Sequence, residues 1–310
     1  MKKLLTIWVL LSLCVTSYAQ EPDFTQYFNT GVYLNPAFAG FEGCSRVSST
    51  YRDQWPALSG SFHTFNISYD QFLKQLSGGF SARYLYEEAG LRSQITQEAA
   101  VAYAPSIRLF DKSFLISPAL ELEWRERSVT WEKLTFGNML GTGNVFITNQ
   151  EEITSTAEQI NLNTGILFSH GAFVYGAAFH HINRPNEGST STTKIAPKYT
   201  FHFSYVAGLT ENLSASPSLI YMQQQDVSIL LPSLVFSYKG VRAGVASRWD
   251  DSAILLLGYT RKIFSAGYSY DVTLSKLSNA SAGSHELNII AKFNFKNQED
   301  NRKGIEQVNF

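Results

Sequence analysis

The stretch His285-Glu-Leu-Asn-Ile-Ile-Ala-Lys-Phe-Asn-Phe295, HELNIIAKFNF, puts Leu287, Ile289, Ala291, Phe293 and Phe295 at alternate positions, with Glu286, Asn288, Lys292 and Asn294 mostly filling those between. Successive side chains of a strand point to opposite faces, so this segment reads as a strand with one apolar and one polar face. The pattern recurs along the chain. Ile116, Pro118, Leu120, Leu122 and Trp124 oppose Ser117, Glu121, Glu123 and Arg125, and Phe80, Ala82, Tyr84 and Tyr86 oppose Ser81, Arg83 and Glu87. Phe201, Phe203, Tyr205, Ala207 and Leu209 likewise oppose Thr200, His202 and Ser204. From Arg46 onward no segment carries a convincing helical period, so the class is all-β with antiparallel strands.

Two features separate a membrane barrel from a soluble sandwich. The apolar faces end in aromatics, among them Tyr84, Tyr86, Tyr103, Trp124, Tyr221, Trp249 and Tyr259, where the girdles of an outer-membrane barrel would lie. The polar faces carry Arg83, Glu121, Glu123, Arg125, Arg242, Arg248, Glu286 and Lys292, which a small dry core would not tolerate unpaired and a wet lumen would. Composition agrees: charged residues make up 16% of the chain and aromatics 14%, against about 25% charge in an average soluble domain.

Segments near 46–54, 61–70, 78–87, 93–107, 113–127, 160–169, 171–182, 198–209, 212–223, 227–238, 240–249, 251–260, 262–273 and 284–296 give an up-and-down transmembrane barrel of about 14 strands. Short joints after every second strand alternate, in part, with long ones at Ser128–Gln159 and Asn183–Pro197. Such a barrel encloses more space than wall side chains can fill, so water or a plug must occupy it. Glycines at 78, 79, 165, 176, 244, 258 and 267 mark strand curvature or close approach of a plug.

Four regions follow. Lys2 and Lys3, the apolar run Leu4–Leu13 and Ser17-Tyr-Ala19 predict a secretory signal peptide over 1–19, which exports the chain to the outer membrane. Leu13 stands where lipoprotein processing at Cys14 would want a small residue. Residues 20–45 form an N-terminal segment capping the lumen on its periplasmic side, 46–296 the barrel, and 297–310 a polar periplasmic tail. The opening segment QYFNTGVYLNPAFAG, Gln26–Gly40, mixes turn punctuation with aromatics. Tyr27, Phe28, Tyr33, Leu34 and Phe38 are expected to pack into or across the periplasmic mouth, with Asn35-Pro36 bending the chain into the wall.

The residues do not assemble into recognisable chemistry. His63, His170, His180, His181, His202 and His285 lack ligand spacing, and His180-His181 on a strand would face opposite ways. Asp250-Asp251 reads as a turn, with a loop calcium site as the minority reading. Neither a GxSxG, a P-loop nor a dinucleotide fingerprint occurs. Expectations are therefore no catalytic, cofactor or metal site and a non-enzymatic protein. Lys plus Arg of 25 against Asp plus Glu of 26 leaves no basic face for nucleic acid.

Three segments together, QYFNTGVYLNPAFAG, YRDQWPALSGSFHTFNISYD (Tyr51–Asp70) and GYTRKIFSAGYSYDVTLSKLSNASAGSHELNI (Gly258–Ile289), resemble the PorP/SprF family of the type IX secretion system of Bacteroidota. The resemblance implies a 14-stranded outer-membrane barrel that helps secrete or surface-anchor a partner, an adhesin or enzyme, carrying a C-terminal sorting domain. Some members of the family are tied to periplasmic secretion and gliding-motility components. The alternative reading is a porin-like diffusion channel for small solutes. Candidate contacts are Arg52, Gln54, Trp55 and Pro56 in a first outer turn, and Tyr268, Tyr270, Asp271 and His285 flanking the last hairpin, with Asp271 favoured as a turn residue.

Overall fold

A computed structural model of the chain describes residues 21–58, 60–110, 114–130, 155–186, 194–275 and 281–293. The predicted signal peptide, the tail after 296 and most of the Ser128–Gln159 connection fall outside the described residues, as does Phe295.

The alternation reads through into a closed antiparallel barrel of 14 strands. They are β1 (Ser45–Gln54), β2 (Phe62–Leu73), β3 (Gly78–Ala89), β4 (Gln94–Pro105), β5 (Phe114–Val129), β6 (Ser155–His170) and β7 (Phe173–His180). The second half comprises β8 (Lys198–Tyr205), β9 (Leu213–Gln224), β10 (Val227–Tyr238), β11 (Val241–Arg248), β12 (Ser252–Arg261), β13 (Phe264–Thr273) and β14 (Ser284–Phe293). Two predicted strands are interrupted: short continuations at Ile107–Leu109 and Ala207–Gly208 follow β4 and β8. Each strand pairs with its sequence neighbours, and the seam closes with β1 on β14, from Ser45↔Phe293 to Gln54↔Ser284. Closure removes the unpaired edge that lipid could not satisfy.

Ser45 and Phe293 lie at one rim, together with the short joints at 74–77, 171–172, 239–240 and 262–263. The opposite rim carries the connections 55–61, 181–197 and 274–283, and that between Val129 and Ser155. Outer-membrane barrels keep short turns in the periplasm and long loops outside, which orients the molecule with both ends of the barrel sequence on the periplasmic side.

The outward face is apolar, with Leu120 70%, Leu257 61%, Leu255 56% and Val245 55% exposed. The aromatics expected in the girdles point outward as well, Trp249 at the outer rim and Tyr103 and Tyr259 toward the periplasmic rim. Inward, the charged polar faces line the lumen, but not a wet one: Arg83, Glu121, Glu123, Arg125, Arg248 and Glu286 are all buried beneath the chain between Glu21 and Cys44. That segment fills the barrel instead of capping one mouth. Its regular structure is one helical turn, Gly31–Leu34, and one 3-10 turn, Pro36–Phe38. Pro36 has no N–H to continue the first turn and holds Asn35 extended (φ −155°), which starts the second.

An outward position at mid-barrel is lipid-facing and one at the rim is not, which makes a paired test. Leu122→Arg on β5 is expected to destabilise the folded barrel by about 2–4 kcal/mol and Leu109→Arg at the periplasmic rim by about 1 kcal/mol or less, as read by reversible denaturant unfolding in lipid vesicles.

Candidate functional site in the barrel lumen

The lumen-filling segment is held from its start to its end by side chains on different strands. At the outer end Glu21 accepts from Arg125 Nη1 at 3.0 Å and Lys198 Nζ at 3.1 Å, and contacts His181 Nε2. Burial would raise the Glu21 pKa, but His181, Lys198 and Arg125 outweigh it and hold the carboxyl well below the usual range. For His181, which follows β7, burial works against the charged ring, and Glu21 nonetheless raises its pKa.

One step further in, Asp23 meets Arg248 Nη2 at 2.7 Å. Thr25 and Gln26 then dock on Glu286 of β14: their backbone N–H groups donate to its two carboxylate oxygens at 2.6 and 2.8 Å. Arg52 of β1, 1% exposed, donates to Thr25 Oγ1 at 2.7 Å, to Asp271 Oδ2 at 2.9 Å and to Glu286 Oε2 at 3.4 Å. Arg248 Nη1 reaches the same Asp271 oxygen at 3.1 Å. Two cations thus face two carboxylates, and the segment's backbone donors and hydroxyl take up the remaining acceptor capacity.

The middle of the segment is apolar and aromatic. Phe24 and Tyr33 meet edge to face at 5.0 Å, and Arg83 and Lys198 lie over the Tyr33 ring at 5.2 and 5.1 Å. Arg83 itself bridges Glu98 at 2.9 Å and Glu121 at 3.1 Å, and Asn163 donates to Glu121 at 2.8 Å. Val32, Leu34 and Phe38 pack against wall residues whose side chains also point inward, including Leu85, Leu115, Leu167 and Val174.

Asn35 acts as a staple. Its Nδ2 donates to the carbonyls of Ile166 and Ala177, both at 3.2 Å, and stands 3.0 Å from His202 Nε2, while its Oδ1 accepts from Ala37 N–H at 2.9 Å. Glycine in the wall makes this approach possible: a Cβ on Gly165 would lie 2.0 Å from Asn35 Oδ1, and one on Gly79 1.8 Å from the Ala39 carbonyl oxygen. Gly267 makes the same allowance for Gln26. At the periplasmic end Gly40 N–H donates to Asp70 Oδ1 at 3.2 Å, and Glu42 bridges Arg46 at 3.1 Å and Lys292 at 2.5 Å. Burial raises the Glu42 pKa, yet Arg46 and Lys292 bring it below the usual value.

The expected site residues divide into three groups. Tyr27, Phe28, Tyr33, Leu34, Asn35, Pro36 and Phe38 come together inside the lumen, reaching along its length beyond the periplasmic mouth. Asn35-Pro36 bends the chain inside the lumen, and entry into the wall is made at Gly40–Gly43, both glycines at positive φ. Arg52 and Asp271 are not turn residues: each faces the lumen from within a strand, because register places Arg52 opposite Glu286 and puts β13 beside β14. Gln54, Trp55 and Pro56 lie at the outer rim, where Trp55 packs edge-on against Phe62 at 5.9 Å. Tyr268, Tyr270 and His285 form an outward cluster, with Tyr268 Oη 2.7 Å from His285 Nδ1. His180 and His181 are both buried, because His181 leaves the strand at φ +57° and does not continue the alternation.

The sequence reading missed Glu21, Asp23, Thr25 and Gln26, and treated Glu286 and Arg248 only as wall charges. A signal existed. Charges of opposite sign recur on the inward face of neighbouring strands, and the acidic pair Glu21/Asp23 opens the segment that must meet them.

Among described residues, no group of three or more His, Cys, Asp or Glu could hold a metal ion. A family model described as type IX secretion system membrane protein PorP/SprF matches residues 16–290. Comparison with curated proteins gives no match. Solved structures with a similar fold include the Ralstonia pickettii toluene transporter TbuX, 12% identical over 86% of this chain and 94% of that one, TM-score 0.49. A Pseudomonas aeruginosa FadL homologue is 10% identical over 86% and 94%, TM-score 0.44. The Acinetobacter baumannii outer membrane protein Omp33 is 10% identical over 80% and 96%, TM-score 0.43.

Two measurements check this network. Arg52→Met leaves Asp271 and Glu286 buried without their shared cation and is expected to cost about 3–5 kcal/mol in denaturant unfolding. Because Glu21 has a lowered folded-state pKa, its contribution is complete above the ordinary unfolded value and lost as pH falls through the folded one. The unfolding midpoint should therefore drop on acidification below about pH 4, and Glu21→Gln should flatten that part of the profile.

Proposed function

The chain belongs to the type IX secretion system membrane protein PorP/SprF family, and from that membership we propose that it binds a secreted protein bearing a C-terminal sorting domain and helps export it or hold it at the cell surface. The protein is an outer-membrane β-barrel component of that system. In this role it is a non-enzymatic scaffold.

The observation that supports a scaffold over a conduit is the occupied lumen. Residues 21–44 are tied to β1, β5, β6, β8, β11, β13 and β14 by hydrogen bonds or ion pairs from side chains that are themselves buried. A diffusion channel for solutes would need the path that these residues take. Partner contact then falls to the rims. The outer rim offers Gln54, Trp55 and Pro56 and the long connection between β5 and β6, with Tyr268, Tyr270 and His285 on the wall below it. The periplasmic rim, where the barrel sequence begins and ends, faces any periplasmic secretion or motor component.

The intact protein in planar bilayers is expected to give no steady conductance, and deletion of residues 21–38 is expected to produce it. A stable open conductance of the intact protein would favour a channel. Affinity capture from solubilised outer membranes is expected to recover a sorting-domain protein. Failure to recover one, together with unchanged surface display after deletion of the gene, would refute partner binding.

A further inference from the structure

The lumen-filling segment does not touch the wall everywhere. Beside Thr25–Asn29 it leaves a cavity of about 70 Å³ against β9–β13, room for several waters or a short alkyl chain. Its walls are largely apolar, with Ile220, Leu231, Val235 and Leu256 from the barrel and Phe28 from the segment. Hydroxyls of Ser216, Ser218 and Ser233 interrupt this surface, and the last two share a hydrogen bond at 2.5 Å. Arg242, the second residue of β11, completes the lining near the periplasmic rim.

Arg242 is the unusual member. It is 6% exposed, yet among the described residues it makes no ion pair or hydrogen bond; Glu42 is the carboxylate that acts on it, from beyond contact distance and already bridged to Arg46 and Lys292. The other buried arginines of the lumen wall, Arg46, Arg52, Arg83, Arg125 and Arg248, each face at least one carboxylate within 3.1 Å. The guanidinium has been given room as well. It lies over Gly258 of β12, where an added Cβ would stand 3.4 Å from Nε and 3.5 Å from Nη2. Burying an arginine with no carboxylate in contact is costly unless something else meets its donors.

We propose that this cavity binds a small amphiphilic carboxylate, its head on Arg242 and its alkyl body among Ile220, Leu231, Val235 and Leu256. The chemistry selects the class. A guanidinium fork matches a carboxylate in two parallel hydrogen bonds, and the apolar wall excludes a highly hydrated anion such as sulfate. The position selects the route: Arg242, Gly258 and Gly267 lie toward the periplasmic ends of their strands, while the segment from Glu21 to Gln26 stands between the cavity and the outer rim. The ligand therefore enters from the periplasm. This site is independent of the secretion partner and does not require it.

The test uses the full-length protein in amphipol, titrated calorimetrically with hexanoate, and in parallel with hexanamide and sulfate. Hexanoate is expected to bind one to one, with hexanamide at least about tenfold weaker, the loss expected when one charge-assisted pair is removed, and sulfate not binding. Arg242→Gln should weaken hexanoate by about tenfold or more, while Val235→Phe should abolish binding with the charge still present. Heat-modified gel migration certifies that each variant is a folded barrel. The proposal is overturned if folded Arg242→Gln binds hexanoate as the parent does, or if the parent binds hexanamide equally well. It is also overturned if the parent binds no hexanoate, including the case in which only an acidic peptide of a protein partner binds.

Discussion

Two carboxylates that the seam of the barrel brings side by side, Asp271 on β13 and Glu286 on β14, share Arg52 of β1, and the rest of the molecule depends on that triad. It sits where the sheet closes, so the register that aligns Arg52 with Glu286 is the register that completes the cylinder. The three residues leave acceptors unfilled until Thr25 and Gln26 arrive with two N–H donors and a hydroxyl. Wall and lumen segment therefore satisfy each other: neither is a finished structure of buried polar groups alone. Arg248 extends the network to Asp23, and from there the chain reaches Glu21 and its partners Arg125, His181 and Lys198.

This arrangement explains how a wide barrel can carry so many buried charges. Fourteen strands leave a lumen that wall side chains cannot close, and an open lumen would hydrate its arginines and glutamates. Filling it with a polypeptide displaces water along the segment's path, so the charges that line this path must meet partners, and the pairing becomes specific to one path of the segment. Small residues set the fit: Gly79 and Gly165 let the backbone and Asn35 touch the wall where any side chain would exclude them. An ion-paired lumen is weak as a source of net stability and strong as a source of register, because one missing partner strands another charge.

Much of the wall is legible in the sequence alone. Alternation in segments such as Leu287–Phe293 gave the strands, their polar faces gave the lumen, and the long and short joints gave the orientation. The errors share one cause. Period 2 reports which face a residue takes, not what that face meets. Asp271 reads as a turn residue flanking the last hairpin, whereas only cross-strand register shows that it stands beside Glu286 and Arg52. The aromatics of Gln26–Gly40 were readable as a closure, but their depth was not, since it depends on inward apolar residues such as Leu85, Leu167 and Ile220 that break the alternation. Those exceptions, Ile289-Ile290 among them, were the available trace of a filled lumen.

The central claim is that residues 21–44 reside in the lumen of the protein in the membrane. Asn29 and Ser48 provide the direct test, because Ser48 Oγ lies 2.9 Å from the Asn29 carbonyl oxygen across the segment–wall contact. Cys44 is half-buried, with burial pushing its thiol up to about 11, and would be replaced by serine first. In cells carrying Asn29→Cys and Ser48→Cys, near-complete disulfide formation in the outer membrane, with both thiols shielded from a membrane-impermeant maleimide before oxidation, is the predicted result. A pair that stays reduced under oxidant and is freely alkylated would contradict the account.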